Sequence, residues 1–138
     1  MAIIDASVYV ALMNEQEKAH AACWRWFEQA VEQKQILSSP AILVAEVGAA
    51  LSRGTADTSF ARQVVEQLHH SVTIQLLAIT PSLAFRAGII AADYKIRGCD
   101  AIYVTLAEQL GRPLVTLDKQ QLERGSRVVT TMSPETAV

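Results

Sequence analysis

Short apolar runs bounded by polar residues alternate with longer stretches of helical period along the whole chain, the pattern of a parallel sheet crossed by helices. Residues 2–4 read as a first strand, 8–13 as a short helix, and 18–33 as a longer one with Cys23, Phe27 and Ala30 in helical register. Residues 36–37 form a short strand candidate. Ser39-Pro40 then has the chemistry of a helix opening, a capping serine before an N1 proline, leading into 41–52 with Gly54 as the stop.

After a polar stretch, 59–69 reads as helix and 72–79 as strand, and Thr80-Pro81 opens a helix running to Tyr94. Arg97-Gly98 breaks the chain. Residues 100–110 follow as helix with Gly111 as a left-handed terminator, and 113–116 give another strand. Residues 128–130 suit a last, edge strand, and the tail from Met132 is expected to fray. The fold class is therefore α/β, with a central parallel sheet and helices on both faces.

With 138 residues the chain has room for one domain over 1–138, and with 51% hydrophobic and 19% charged residues it has the makings of one continuous core. The start Met1-Ala2-Ile3-Ile4-Asp5 carries neither a basic segment nor an apolar run of signal-peptide length, which implies a cytoplasmic protein. The most apolar helix is interrupted by Arg86, so no membrane segment is expected. Cys23 and Cys99 lie far apart with no Cys-x-x-Cys pair, consistent with small buried thiols in a reducing compartment.

Four acids break the local pattern, and a sequence departs from its own pattern mostly at functional sites. Asp5 ends the first strand, where doubly wound sheets bind ligands, although it could simply cap the helix that follows. Glu46 has Ile42, Leu43, Ala49 and Ala50 three and four residues away, so it lies on an apolar face and needs a partner; the alternative to function is Arg53, two turns on. Asp100 heads its helix and could be a plain cap. Asp118 follows Leu114-Val115-Thr116-Leu117 at a strand's carboxyl end and could equally cap the segment after it.

If these ends share one edge of the domain, the carboxylates repel by several kcal/mol even at an effective dielectric near ~20, and a cation must occupy the gap. Oxygen-only ligands suit Mg²⁺ or Mn²⁺, and no His or Cys set has zinc spacing. Phosphate-cradling glycine loops and nucleophile elbows are missing from the sequence.

In this order the residues resemble the PIN domain and, within it, the small VapC-type toxin ribonucleases. The resemblance rests on Ile3-Ile4-Asp5-Ala6-Ser7, on Ser39-Pro40 through Val44-Ala45-Glu46-Val47, on Arg97-Gly98-Cys99-Asp100-Ala101-Ile102-Tyr103, and on Pro113-Leu114-Val115-Thr116-Leu117-Asp118. It implies a three-layer fold and an acidic pocket in which Asp5, Glu46, Asp100 and Asp118 hold Mg²⁺ or Mn²⁺. It also implies that Ser7 and Thr116 orient those acids. The activity implied is endonucleolytic hydrolysis of single-stranded or structured RNA, by the toxin of a toxin–antitoxin pair that forms homodimers and is held inactive by an antitoxin protein. Cys99 stands where the family often has an aromatic residue.

The net charge of −2 is unusual for a protein that binds nucleic acid, but without the four site acids 12 basic residues face 10 acidic ones. Asp93 is assigned to an ion pair with Arg97; Trp24, Trp26 and Phe27 could form a partner-binding patch, but core packing explains Trp24 and Phe27, and only Trp26, off their stripe, invites another account. Three rival readings share the scaffold: a phosphotransfer domain, which would want a second acid where Ser7 stands; a nuclease acting on DNA; and a catalytically silent dimeric binding module.

Overall fold

The computed structural model describes residues 1–136. Twelve elements follow one another: β1 (Ala2–Ile4), α1 (Ala6–Met13), α2 (His20–Glu32), β2 (Leu37–Pro40), α3 (Leu43–Thr55), α4 (Thr58–His69), β3 (Ile74–Leu77), α5 (Pro81–Tyr94), α6 (Gly98–Leu110), β4 (Leu114–Val115), α7 (Lys119–Gly125) and β5 (Thr131–Met132). The strands form one wholly parallel sheet in the order β3-β2-β1-β4-β5. From β1 the chain winds outward through β2 to β3, then returns to lay β4 and β5 on the other side. The direction of winding therefore reverses between β1 and β4, the place where open α/β sheets leave a crevice at their carboxyl ends.

Right-handed crossovers put α1 to α4 on one face and α5 to α7 on the other. The packing agrees: α1 meets α2 and α3, α3 meets α4, and α6 lies across β1, β2 and β4 with α5 outside it. Covered on both sides, β1, β2 and β4 are buried throughout, which is why β1 and β4 read as continuous apolar runs rather than as alternating ones, while the buried Ser38 and Ser39 of β2 are hydrogen-bonded. Ile3, Ile4, Leu37, Leu114, Val115 and Tyr103 are the centre of the core.

Several local expectations give way to tertiary context. Ser39-Pro40 does not open a helix but ends β2, where Ser39 Oγ donates to the Ile4 carbonyl at 2.6 Å. Pro40 offers no N–H, and the ladder continues from the amide of Ala41 to the Leu77 carbonyl at 2.8 Å. Helix α3 starts two residues later than the proline suggested, runs through Gly54, and stops at Ala56 in the left-handed region with φ 53°. The last strand lies at Thr131–Met132 rather than 128–130. Nor does the tail fray from Met132: Ser133 and Pro134 are buried and a turn runs to Thr136, while residues 137–138 lie outside the described ones. Cys23 is buried as expected; Cys99 is exposed. Among the described residues no helix is long and apolar enough to cross a membrane.

The indoles exchange the roles the sequence suggested. Trp26 is 6% exposed and belongs to the core, so it is not a partner-binding residue. Trp24 and Phe27 are half-buried and pack edge to face with centroids 5.5 Å apart, and Trp24 Nε1 donates to the Leu12 carbonyl at 3.0 Å. The rotation of α2 about its axis is set by Cys23, Trp26 and Ala30 facing inward.

Candidate active site

Asp5 leaves β1 in extended conformation, φ −99° and ψ 178°, and serves as the N-cap of α1. Its Oδ1 accepts from the amides of Ser7 at 3.1 Å and Val8 at 3.4 Å and from Ser7 Oγ at 2.5 Å, while its Oδ2 accepts from Thr116 Oγ1. The carboxyl is 5% exposed. Burial pushes its pKa up to about 6 against the downward pull of Ser7, Thr116 and the Val8 amide, and the nearby Asp100 adds a smaller push in the same direction. Asp5 is thus both a cap and a perturbed acid.

Ser7 and Thr116 sew the exit of β1 to the exit of β4. Ser7 Oγ, while donating to Asp5, accepts from the Leu117 amide at 3.0 Å, and Thr116 Oγ1 accepts from the Asp118 amide at the same distance. Each hydroxyl donates to one oxygen of the Asp5 carboxylate and takes an amide from the exit of β4, Leu117 for Ser7 and Asp118 for Thr116, so turning Asp5 would break the bonds that join the start of α1 to the segment after β4.

Glu46 lies in the first turn of α3 and is half-buried. Its partner is not Arg53 but Tyr103, whose hydroxyl donates to Oε1 at 2.6 Å from α6. Tyr103 is 1% exposed, and burial together with this bond holds its phenol protonated, well above the usual range. Asp100 is in the first turn of α6 and is not the cap: the N-cap position belongs to Arg97, which makes no capping bond. Asp118 does cap α7, taking the amides of Gln120 at 2.8 Å and Gln121 at 3.1 Å on Oδ1.

Arg97 links the last two acids. Its Nε donates to Asp100 Oδ2 at 2.8 Å and its Nη2 to Asp118 Oδ2 at 3.1 Å; no pair with Asp93 forms. Gln121, 2% exposed on α7, donates from Nε2 to the Asp100 carbonyl at 3.0 Å, a second tie between the two helices.

The four acids thus come from four junctions and line one cleft of about 160 Å³ together with Ser7, Arg97 and Tyr103. A larger hollow of about 400 Å³ beside Trp26, Pro113 and Met132 has no acidic or basic side chain in its lining. The donor set of the cleft is carboxylate and hydroxyl oxygen, the chemistry of Mg²⁺ or Mn²⁺ sites. As they stand, no three acids among the described residues are close enough to form a ready-made metal centre, and Arg97 supplies the compensating charge.

Tyr103, Arg97 and Gln121 were not singled out for the site from the sequence. Tyr103 could have been found, since it sits three residues after Asp100 on one helix face. Arg97 had two acids at helical distance, and the sequence pointed to the wrong one. Nothing local marks Gln121.

A family model described as the PIN domain matches residues 2–126. The ribonuclease VapC3 of Pyrobaculum aerophilum is 30% identical over 132 residues, which span 93% of this chain and 97% of that protein. Among solved structures, the sarcin-ricin loop cleaving toxin VapC20 of Mycobacterium tuberculosis superposes with a TM-score of 0.76 at 16% identity, covering 91% of this chain and 95% of the other. VapBC2 of Rickettsia felis, bound to a DNA fragment from its promoter, gives 0.72 at 12% identity, with 96% and 97% covered. At such identities the superpositions establish a shared fold.

Proposed function

Because the chain belongs to the PIN domain family, we propose that it is a divalent-metal-dependent endoribonuclease, the toxin of a toxin–antitoxin pair acting in the cytoplasm. The observation that carries this reading is the convergence of Asp5, Glu46, Asp100 and Asp118 on one cleft at the switch point of the sheet. RNA as the substrate is supported by the ribonuclease that this chain resembles along almost its whole length.

Asp5, Glu46, Asp100 and Asp118 are the residues that would hold Mg²⁺ or Mn²⁺. Such an ion supplies polarisation of the scissile phosphate, a bound water of lowered pKa and stabilisation of the leaving oxygen. The protein's own part is placement. Ser7 and Thr116 fix the plane of the Asp5 carboxylate, and Tyr103 fixes that of Glu46. A raised Asp5 pKa means that the carboxyl reaches its anionic, ligating form around neutral pH in the absence of a cation, and a bound cation would pull that titration down. An antitoxin protein and a second copy of the chain are the partners that go with this reading. VapBC and FitAB complexes among the structural relatives support the first. Phe85 and Ile89, exposed one turn apart on α5, offer apolar surface for a protein partner.

The test is cleavage of a single-stranded RNA by the purified protein. Cleavage should require Mg²⁺ or Mn²⁺, stop on addition of EDTA, and disappear in Asp5→Ala. Cleavage that survives EDTA in the wild type but is absent from Asp5→Ala would refute the metal-dependent reading.

A further inference from the structure

We propose that Arg97 is the resident counter-ion of the acidic cleft and that a divalent cation enters by exchanging with it. The inference rests on the metal-dependent reading above and concerns the step by which the site is loaded.

The four carboxylates are not equally engaged. Asp5 is held by two hydroxyls and two amides, and Glu46 by the Tyr103 hydroxyl, all neutral donors that can stay in place while a carboxylate also binds a cation. Asp118 commits Oδ1 to the α7 amides. Of the oxygens that remain, Arg97 takes Oδ2 of Asp118 and Oδ2 of Asp100, at 3.1 and 2.8 Å, while Asp100 Oδ1 and Glu46 Oε2 accept no hydrogen bond among the described residues. Among the described residues, Arg97 is the one basic side chain lining the cleft.

A guanidinium is a donor only, with no lone pair to share with a cation, and its charge repels one. A divalent ion bound at either Oδ2 with Arg97 in place would therefore face a like charge within a few ångströms, and the repulsion favours exchange over sharing. Arg97 begins α6 at φ −59° and ψ 145° with no capping duty, and Asp100 faces it from the first turn. Yet the Arg97 side chain is 68% exposed, so the pair is held weakly enough to be displaced. Together these features give a cleft whose charge is compensated when empty and whose cation affinity is lowered by a competitor built into the chain.

Mn²⁺ titrations of the metal-free full chain, followed by the paramagnetic resonance of the free ion, test the exchange without recourse to catalysis. Arg97→Gln should bind Mn²⁺ about five-fold more tightly than wild type, the scale of an exposed but two-pronged pair. Arg97→Lys keeps the charge and loses the fork, so exchange predicts tighter binding here too, whereas a mere through-space charge effect predicts wild-type affinity. In a ¹H–¹⁵N spectrum the Arg97 Nε–H resonance should move with Mg²⁺, with the same midpoint as binding. Wild-type affinity in Arg97→Lys, no gain in Arg97→Gln, or an Nε–H resonance that stays put at saturating Mg²⁺ overturns the exchange while leaving metal dependence intact. Failure of the wild type to bind Mn²⁺ at all overturns both.

Discussion

Replacing Asp5 by Asn should stabilise the metal-free protein at neutral pH and weaken its metal response, although Asp5 is the best-connected acid of the cleft. Burial raises the carboxyl from its ordinary value near ~4 to about 6. In the interval between those values the folded state binds more protons than the unfolded chain, so stability falls as pH rises. Below the interval Asp5 is protonated in both states and costs nothing; above it the full cost is present. Two pH units correspond to about 3 kcal/mol. Asparagine is close in shape and keeps an oxygen for the Ser7 and Val8 amides, and the Thr116 hydroxyl can turn to accept from its amide. A lost charge-assisted bond returns roughly 1 kcal/mol or more of that gain, leaving about 1–2 kcal/mol, or about 3–8 °C in Tm for a domain of this size. Thermal melts of both proteins in EDTA from pH 4 to pH 8 make the test. The difference in Tm should open between pH 4 and pH 6 and then stay constant. With Mg²⁺ or Mn²⁺ at a hundredfold excess over the dissociation constant, wild type should regain about 2.7 kcal/mol and Asp5→Asn much less. Parallel curves across the whole range, or a variant less stable than wild type at pH 7.5, would refute the claim that Asp5 is a buried charge awaiting a cation.

Tyr103→Phe removes the donor to Glu46 with little change of shape, so kcat on RNA should fall about ten-fold with KM nearly unchanged, and stability should drop by about 1 kcal/mol; an unchanged kcat would show that Glu46 needs no anchor. Gln121→Met loses the bond to the Asp100 carbonyl but also disposes of Gln121 Oε1, which is buried without a partner. The two effects, each about 1 kcal/mol or more, oppose one another, so the melting temperature should shift by only a few degrees. A loss of ten degrees would mean that the tie between α6 and α7 matters more than its single bond.

What the sequence determined by itself was whatever depends on neighbours along the chain. Thr80-Pro81 fixed the start of α5 because a capping hydroxyl and an N1 proline act within one turn, and Thr80 Oγ1 does accept from the Leu83 amide. Gly111 ends α6 with φ 61°, a conformation that glycine adopts freely. The four acids were legible because each interrupts an apolar pattern or ends an element, and the alternative roles were legible as well: Asp5 and Asp118 really are caps. Tertiary structure decided the partners. Glu46 and Tyr103 are 57 residues apart and Asp5 and Thr116 are 111 apart, contacts that exist only because β1 lies between β2 and β4. Arg97 had Asp93 within helical reach and took Asp100 and Asp118 instead, since α5 ends at Tyr94 and Lys95 turns left-handed at φ 56° before Arg97 is reached. Ser39-Pro40 became the end of a strand because a sheet neighbour stood on each side. Trp26 went inward because the rotation of a helix depends on the surface beneath it. Local propensity is a matter of tenths of a kcal/mol per residue, about 1 for a cap, while burying one large side chain is worth about 1.5–3 kcal/mol, so wherever the two disagreed the core prevailed.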